Sequence, residues 1–189
     1  MSTPVLHVLA GPNGAGKTTF VDRVLIPATH FPFVNADRIA AKWWPGGEQA
    51  HAYEASRLAA QERVAAMRES RSFITETVFS HPSKADLVQQ AVEFGYLVTL
   101  HVLLIPEDLT VGRVRYRVDH GGHSVPEAKI RERYRRLWTL IAQARDIATR
   151  TVFYDNSTAA QAFRPVAAFE RGTLVRETNW PRWTPVELR

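Results

Sequence analysis

The sequence contains no cysteine. That excludes a disulfide framework, a cysteine-ligated metal centre and a thiol nucleophile. Lysine is scarce: Lys17, Lys42, Lys84 and Lys129 are the only four among 24 basic residues, so arginine carries most of the positive charge behind the net +5. Arginine suits planar, bidentate contact with phosphate and carboxylate. The basic residues concentrate between Arg113 and Arg136, which points to a local anion site rather than a diffuse coat. No apolar run is long enough to span a bilayer. No basic stretch leads into an apolar one with a small-residue cleavage site at the N-terminus. A membrane is therefore not among the expected partners, and the cytoplasm is the expected compartment. Zinc-ligand spacing of the HExxH type is missing too, as are internal repeats and low-complexity segments. With 189 residues, 45% of them apolar, the chain suits one domain with a full core. The expectation is a single domain over 1–189, with its core at 4–157 and a C-terminal extension at 158–189.

What is present starts at Gly11-Pro12-Asn13-Gly14-Ala15-Gly16-Lys17-Thr18. This fits G-x-x-x-x-G-K-[ST], the phosphate-binding P-loop. Residues 5–10 read as a buried strand running into it, and 19–26 read as the helix leaving it until Pro27 stops it. Strand, glycine loop and helix are the context the motif requires. Glycines let backbone N–H groups crowd round a polyphosphate, and the helix N-terminus adds its dipole. Lys17 would reach the β- and γ-phosphates and the Thr18 hydroxyl would bind Mg²⁺. Gly11 through Thr18, with Thr19, are thus the expected nucleotide-binding residues, with Mg²⁺ at Thr18. The alternative is a glycine-rich turn that binds nothing.

Strand-like and helix-like segments alternate along the rest of the chain. Strands are expected at 32–35, 72–77, 96–105 and 151–154. Helices are expected at 48–69, with Tyr53, Leu58, Val64 and Met67 among its apolar positions, at 80–94 with Ser80 as N-cap, at 109–118 and at 126–149. The tail reads as a hairpin of 162–170 and 173–177 around Arg171-Gly172, followed by a packed Trp180–Trp183 segment. The fold class is α/β: a three-layer P-loop NTPase fold, kinase-like, with a mainly parallel five-stranded sheet flanked by helices and a small C-terminal β extension. Ligands on such sheets bind at the carboxyl ends of the strands, where Gly11, Asp37, Glu76 and Asp155 all fall.

Asp37 could accept a proton from an attacking hydroxyl, or it could cap a helix at 38–41. Glu76, ending an apolar strand, could hold the acceptor or a water on Mg²⁺; the alternative is a strand-end carboxylate paired with an arginine. No strand ends in a conventional Walker B aspartate. Arg113 and Arg117, four apart, share a helix face and could clamp the transferred phosphoryl group, with Gly121 and Gly122 as the hinge of a lid; otherwise they belong to a solvated basic face. Arg115 points elsewhere. Arg131, Arg133, Arg135 and Arg136 read as surface residues pairing with acids. Their helix turns Ile130, Tyr134, Leu137, Trp138, Ile141 and Ile147 to the core. His123 would fix the lid turn or touch substrate, while His81 and His120 read as surface residues. Asn156 would shape the adenine pocket or make an Asx turn.

As a set, GPNGAGKTTF, FVNADRIA, FITETVFSHPSK, GYLVTLHVLLIP, RVRYRVDHGGHSVPEAKIRERYRRLW and YDNS resemble the small P-loop kinases of the zeta-toxin family. The resemblance implies ATP-dependent phosphorylation of a hydroxyl of UDP-N-acetylglucosamine and neutralisation by an antitoxin that obstructs the ATP site. Carried over by motif, it implies Lys17 and Thr18 at the phosphates and metal, Asp37 as base, Glu76 and Thr77 at the substrate, and Arg113 and Arg117 as phosphate-contacting lid arginines. The expected function is an ATP/Mg²⁺-dependent phosphotransferase acting on a hydroxyl of a small metabolite, with Lys17, Asp37, Arg113 and Arg117 catalytic. The rivals are a toxin defined by its antitoxin partner and, ranked last, a nucleic-acid-associated P-loop ATPase.

Overall fold

Strands that are apolar on both faces need cover on both faces, and the central strands here are of that kind. β1 (Val5–Ala10) and β4 (Leu97–Leu104) are buried over most of their length. The computed structural model describes residues 2–119 and 125–189. It places these two strands at the centre of one sheet with β2 (Phe33–Val34), β3 (Phe73–Thr77), β5 (Arg150–Asp155), β6 (Arg164–Glu170) and β7 (Thr173–Leu174). The order is β2-β3-β1-β4-β5-β6-β7. The first five are mutually parallel; β6 pairs antiparallel with β5, and β7 antiparallel with β6.

The sheet therefore has seven strands, not the five expected. The two additions come from the C-terminal extension, which continues the sheet instead of standing apart from it. Val166 to Phe169 are buried as β6 pairs with β5, Ala167 opposite Phe153. Their apolar area is what draws the extension onto the edge. The hairpin turns at Arg171-Gly172 as expected, both residues at positive φ. Trp180 and Trp183 pack on the main core, and Leu188 is fully buried in the closing 3₁₀ turn.

The helix after the glycine loop runs as α1 (Lys17–Phe20), a π-turn (Val21–Leu25) and α2 (Ile26–Thr29). It does not stop at Pro27. The wider π-turn just before it makes room for a ring that would otherwise meet the carbonyl four residues back, and a proline in the first turn of α2 needs no intrahelical donor. The other helices are α3 (Ala36–Trp43), α4 (Ala52–Arg68), α5 (Ser83–Glu93), α6 (Glu107–Asp119) and α7 (Glu127–Ile147). Ser80 does not cap α5, whose cap position is Pro82 without a side-chain bond. On α4 the core stripe is Ala55, Ala59, Ala66 and Met67, and Tyr53 is 86% exposed. Small residues let α4 lie close to the sheet, which turns Tyr53 outward. α7 buries Ile130, Tyr134, Leu137, Trp138 and Ile141 as its periodicity predicts. Among the described residues, no helix is long and apolar enough to cross a membrane.

From β3 the chain passes through α5 to β4, on the other side of β1. The strand order thus reverses about β1, and a crevice opens at its carboxyl end. The expected lid hinge at Gly121 and Gly122, and His120 and His123, lie outside the described residues.

Candidate active site

The glycine loop leaves β1 and is gripped from two sides by distant residues. Gly16 sits at φ +88°, and a Cβ there would lie 2.7 Å from Asn156 Nδ2. Gly14 sits at φ +72°, and its Cβ would lie 2.9 Å from the Cβ of Arg113. Only glycine tolerates both the backbone and the crowding. Asn156, buried just beyond β5, donates from Nδ2 to the Ala15 carbonyl at 2.9 Å and accepts the Phe163 N–H at 3.3 Å. Arg113 on α6 donates to the Gly14 carbonyl at 3.2 Å and the Asn156 carbonyl at 3.0 Å. Burial lowers the Arg113 pKa. The role of Asn156 is thus to brace the loop. The Asx-type bond in this turn belongs to Asp155, whose Oδ1 accepts the Ser157 N–H at 2.9 Å.

A cavity of about 450 Å³ opens over the loop. Asn13, Gly14, Gly16, Lys17, Thr18 and Thr19 line it together with Asp37, Glu76, Thr77, Arg113 and Arg117. Residues expected from four separate segments of sequence meet there. Gly11, Pro12 and Ala15 form the loop's back instead. The first two offer carbonyls to Lys17 Nζ at 3.0 and 2.9 Å, and Ala15 is fully buried. Asp155 stands apart from the cavity lining, its Oδ2 3.0 Å from Arg164.

Loss of hydration pushes the Lys17 pKa down to about 8; Arg117 lowers it further while Glu76 and Asp37 oppose the shift. Glu76 is half-buried, and burial raises its carboxyl pKa against the pull of Lys17 and of hydrogen bonds from Thr18 and Asn35. Thr18 Oγ1 donates to the two Glu76 oxygens at 3.2 and 3.0 Å. The strand-end carboxylate is therefore held by a P-loop hydroxyl and not by an arginine. It stands beside the residue expected to meet the metal.

Asp37 is exposed in the first turn of α3. It is not the cap. Asn35 caps α3, its Oδ1 accepting the Arg38 N–H at 2.9 Å. Asn35 also lines the cavity and was missed, although an asparagine just before a short helical run is a cap signal. Arg117 is exposed on the cavity wall.

The remaining arginines of the basic run are largely matched by acids. Arg115 pairs with Glu127. Arg131 lies 2.9 Å from Glu127, 3.1 Å from Asp108 and 3.4 Å from Glu107. Arg136 pairs with Glu132 at 3.1 Å. Of the basic run, Arg113 and Arg117 are the two arginines that line the cavity.

Residues 6–140 match the AAA domain family. No curated protein matches the chain in sequence. Among solved structures, the AvrRxo1-ORF1:AvrRxo1-ORF2 complex with sulphate ions aligns with a TM-score of 0.69 at 17% identity, over 91% of this chain and 60% of that one. The chain thus spans only about three fifths of that relative's length. The same complex is known with ATP. The PezAT chromosomal toxin-antitoxin system of Streptococcus pneumoniae aligns at 0.62 and 15% identity, over 82% of this chain and 68% of that one. A candidate kinase of Chloroflexus aurantiacus aligns at 0.57 and 19% identity, over 70% and 78%. At such identities the likeness is one of fold, a P-loop kinase-like α/β architecture.

Proposed function

The chain belongs to the AAA domain family, and from that premise we propose that it is an ATP- and Mg²⁺-dependent phosphotransferase acting on a hydroxyl group of a small metabolite. The observation that carries this reading is the single cavity in which Lys17, Asp37, Glu76, Arg113 and Arg117 converge. Residues 4–157 would form the catalytic core, and 158–189 an extension that completes the sheet.

The cradle fits a polyphosphate. Its glycines leave no room for side chains, α1 starts after Gly16, which has no side chain to cap its N–H groups, and the buried Asn13 Oδ1 has no hydrogen-bond partner. The Thr18 hydroxyl offers a hard oxygen ligand of the kind that Mg²⁺ takes, and the Glu76 carboxylate beside it accepts its hydrogen bond. Among the described residues there is no group of three or more His, Asp or Glu that could hold a metal ion, so such an ion would take its other ligands from phosphate and water. When bound, Mg²⁺ would neutralise charge on the phosphates.

Lys17 would exchange its two loop carbonyls for phosphate oxygens. Asp37, exposed and unburdened by the cap, would take the proton of the acceptor hydroxyl as its oxygen bonds to the γ-phosphorus and the bond to the β-phosphate bridge breaks. Glu76 and Thr77 would orient that hydroxyl. Arg113 and Arg117 would stabilise the equatorial oxygens of the phosphoryl group in transit.

The test is ATP consumption with Mg²⁺ against a panel of metabolites, with mass spectrometry of the products. UDP-N-acetylglucosamine is the first acceptor to try. A product heavier by one phosphate supports the reading, whichever acceptor yields it; ADP release without any phosphorylated acceptor counts against it. Likeness in fold to a toxin-antitoxin protein supports the narrower reading of a toxin with an antitoxin partner, for which growth arrest on expression is the check. The acid-paired arginines of α6 and α7 argue against a surface that tracks nucleic-acid phosphates.

A further inference from the structure

Outside the catalytic cavity, α4 and α5 enclose a second one of about 200 Å³. Its floor is apolar, with Met67 and Leu87, and its rim holds Arg63, Lys84, Ser83 and Gln90. Arg63 and Lys84 come from facing helices, and both are half-buried. Among the described residues, neither charged group makes an ion pair or a hydrogen bond, and the carboxylate whose charge Arg63 senses is its chain neighbour Glu62. Arg131 and Arg164, also half-buried, each have an acid within 3.0 Å, and half-buried Arg113 has two carbonyl acceptors. Two cations brought together out of water without an anion raise each other's cost; burial and then the Arg63 charge lower the Lys84 pKa. Such a pair is stable when an anion sits between them.

The chain links the groove to the first cavity over a short path. Val78 lines the first cavity and Ser83 the second. Five residues of fully extended chain reach at most about 18 Å, and the left-handed turn at Phe79, φ +63°, shortens the path.

We infer that the Arg63–Lys84 groove is an anion subsite that holds a phosphate or carboxylate of the acceptor while its hydroxyl lies at Asp37. This rests on the phosphotransferase reading and narrows it: the acceptor is an extended, anionic metabolite, its charged group remote from the hydroxyl that is phosphorylated. Arg63 and Lys84 bind and select without touching the reacting atoms.

The test separates the subsite from the reaction. Inorganic pyrophosphate and, in parallel, citrate are titrated into the isotope-labelled full chain saturated with Mg²⁺ and ADP, and backbone amide shifts are followed. Shifts at 60–67 and 83–90 with either probe are expected, and which probe binds tighter identifies phosphate or carboxylate as the group. In the double variant Arg63→Met/Lys84→Met the affinity at these amides should fall at least about tenfold, the loss of about one charge-assisted bond. The charge-keeping variant Arg63→Lys/Lys84→Arg should stay within about threefold of the parent. Shifts confined to the glycine loop, or equal losses in both variants, overturn the subsite. None of these readouts needs turnover, so failure of the phosphotransferase reading would appear separately as an absence of phosphorylated product.

Discussion

The cavity over the glycine loop has two sides, one proposed for the nucleotide and one for the acceptor, and they are built differently. The nucleotide half is made mainly of backbone: glycines packed against Arg113 and Asn156, and loop carbonyls bonded to Lys17, Arg113 and Asn156. The proposed acceptor half is made of side chains: Asp37 exposed on the first turn of α3, and Glu76 and Thr77 ending β3. A backbone cradle binds what every phosphate shares, and its demands on sequence are strict. A side-chain surface can be re-specified one residue at a time. The contrast explains how one P-loop fold serves different acceptors.

Breaking the nucleotide half should have the largest effect. Lys17→Ala removes the only lysine in the cavity, and turnover should fall about 10³- to 10⁵-fold, on the scale of other phosphate-clamping cations. The check is steady-state ATP turnover beside a circular-dichroism melt that shows the fold retained; turnover within about tenfold of the parent would remove Lys17 from the mechanism. Asp37→Asn tests the acceptor half. It should keep nucleotide affinity and lose about 10²- to 10⁴-fold in transfer, the range for a general base. Measuring ADP binding and phosphoryl transfer on the same sample separates the two halves directly. A variant that lost both together would show that they are not separable.

A smaller effect is expected where the nucleotide half is braced from behind. Asn156→Ala leaves the buried Ala15 carbonyl and the half-buried Phe163 N–H without this partner, at a cost of about 2–3 kcal/mol. For a chain of this size that is a melting point lower by roughly 5–10 °C. Saturating Mg²⁺ and ADP should recover part of it, because ligand binds only the folded state. A fall without any recovery by nucleotide would mean that Asn156 supports the edge of the sheet and not the loop.

The same contrast governs what could be read in advance. The P-loop, β1 and the parallel strands were legible because their requirements are local: glycines, a lysine, apolar runs and the turn residues between them. Asp37, Glu76, Arg113 and Arg117 were legible as candidates because each closes or faces a recognisable element. Three things were not legible, each for a non-local reason. Asn156 and Gly16 meet across 140 residues of chain, so neither residue's neighbours announce the contact. The extension joined the sheet because β5 had a free apolar edge, a property of the assembled strands. The arginines of α7 read as pairing with acids, but that Asp108 and Glu107 of α6 are among the partners of Arg131 is known only once the two helices are packed.

The smallest predicted effect sharpens the contrast through pH. In the nucleotide half, Lys17 is lowered to about 8 by loss of hydration. A bound polyphosphate favours the charged form, so binding takes up a proton once the free protein has lost it. Nucleotide affinity should therefore be flat below about pH 7 and fall about tenfold between pH 7 and pH 9. Lys17→Arg, which stays charged, should flatten that alkaline fall. In the acceptor half the sign is reversed. Burial raises the Glu76 pKa above that of an ordinary glutamate, so as pH falls it is protonated earlier, and acceptor affinity should weaken on the acid side. The KM for ATP and the KM for the acceptor, measured across the same pH range, should bend at opposite ends. If both bent together at the alkaline end, one lysine would control the whole cavity, and the division into a backbone half and a side-chain half would fail.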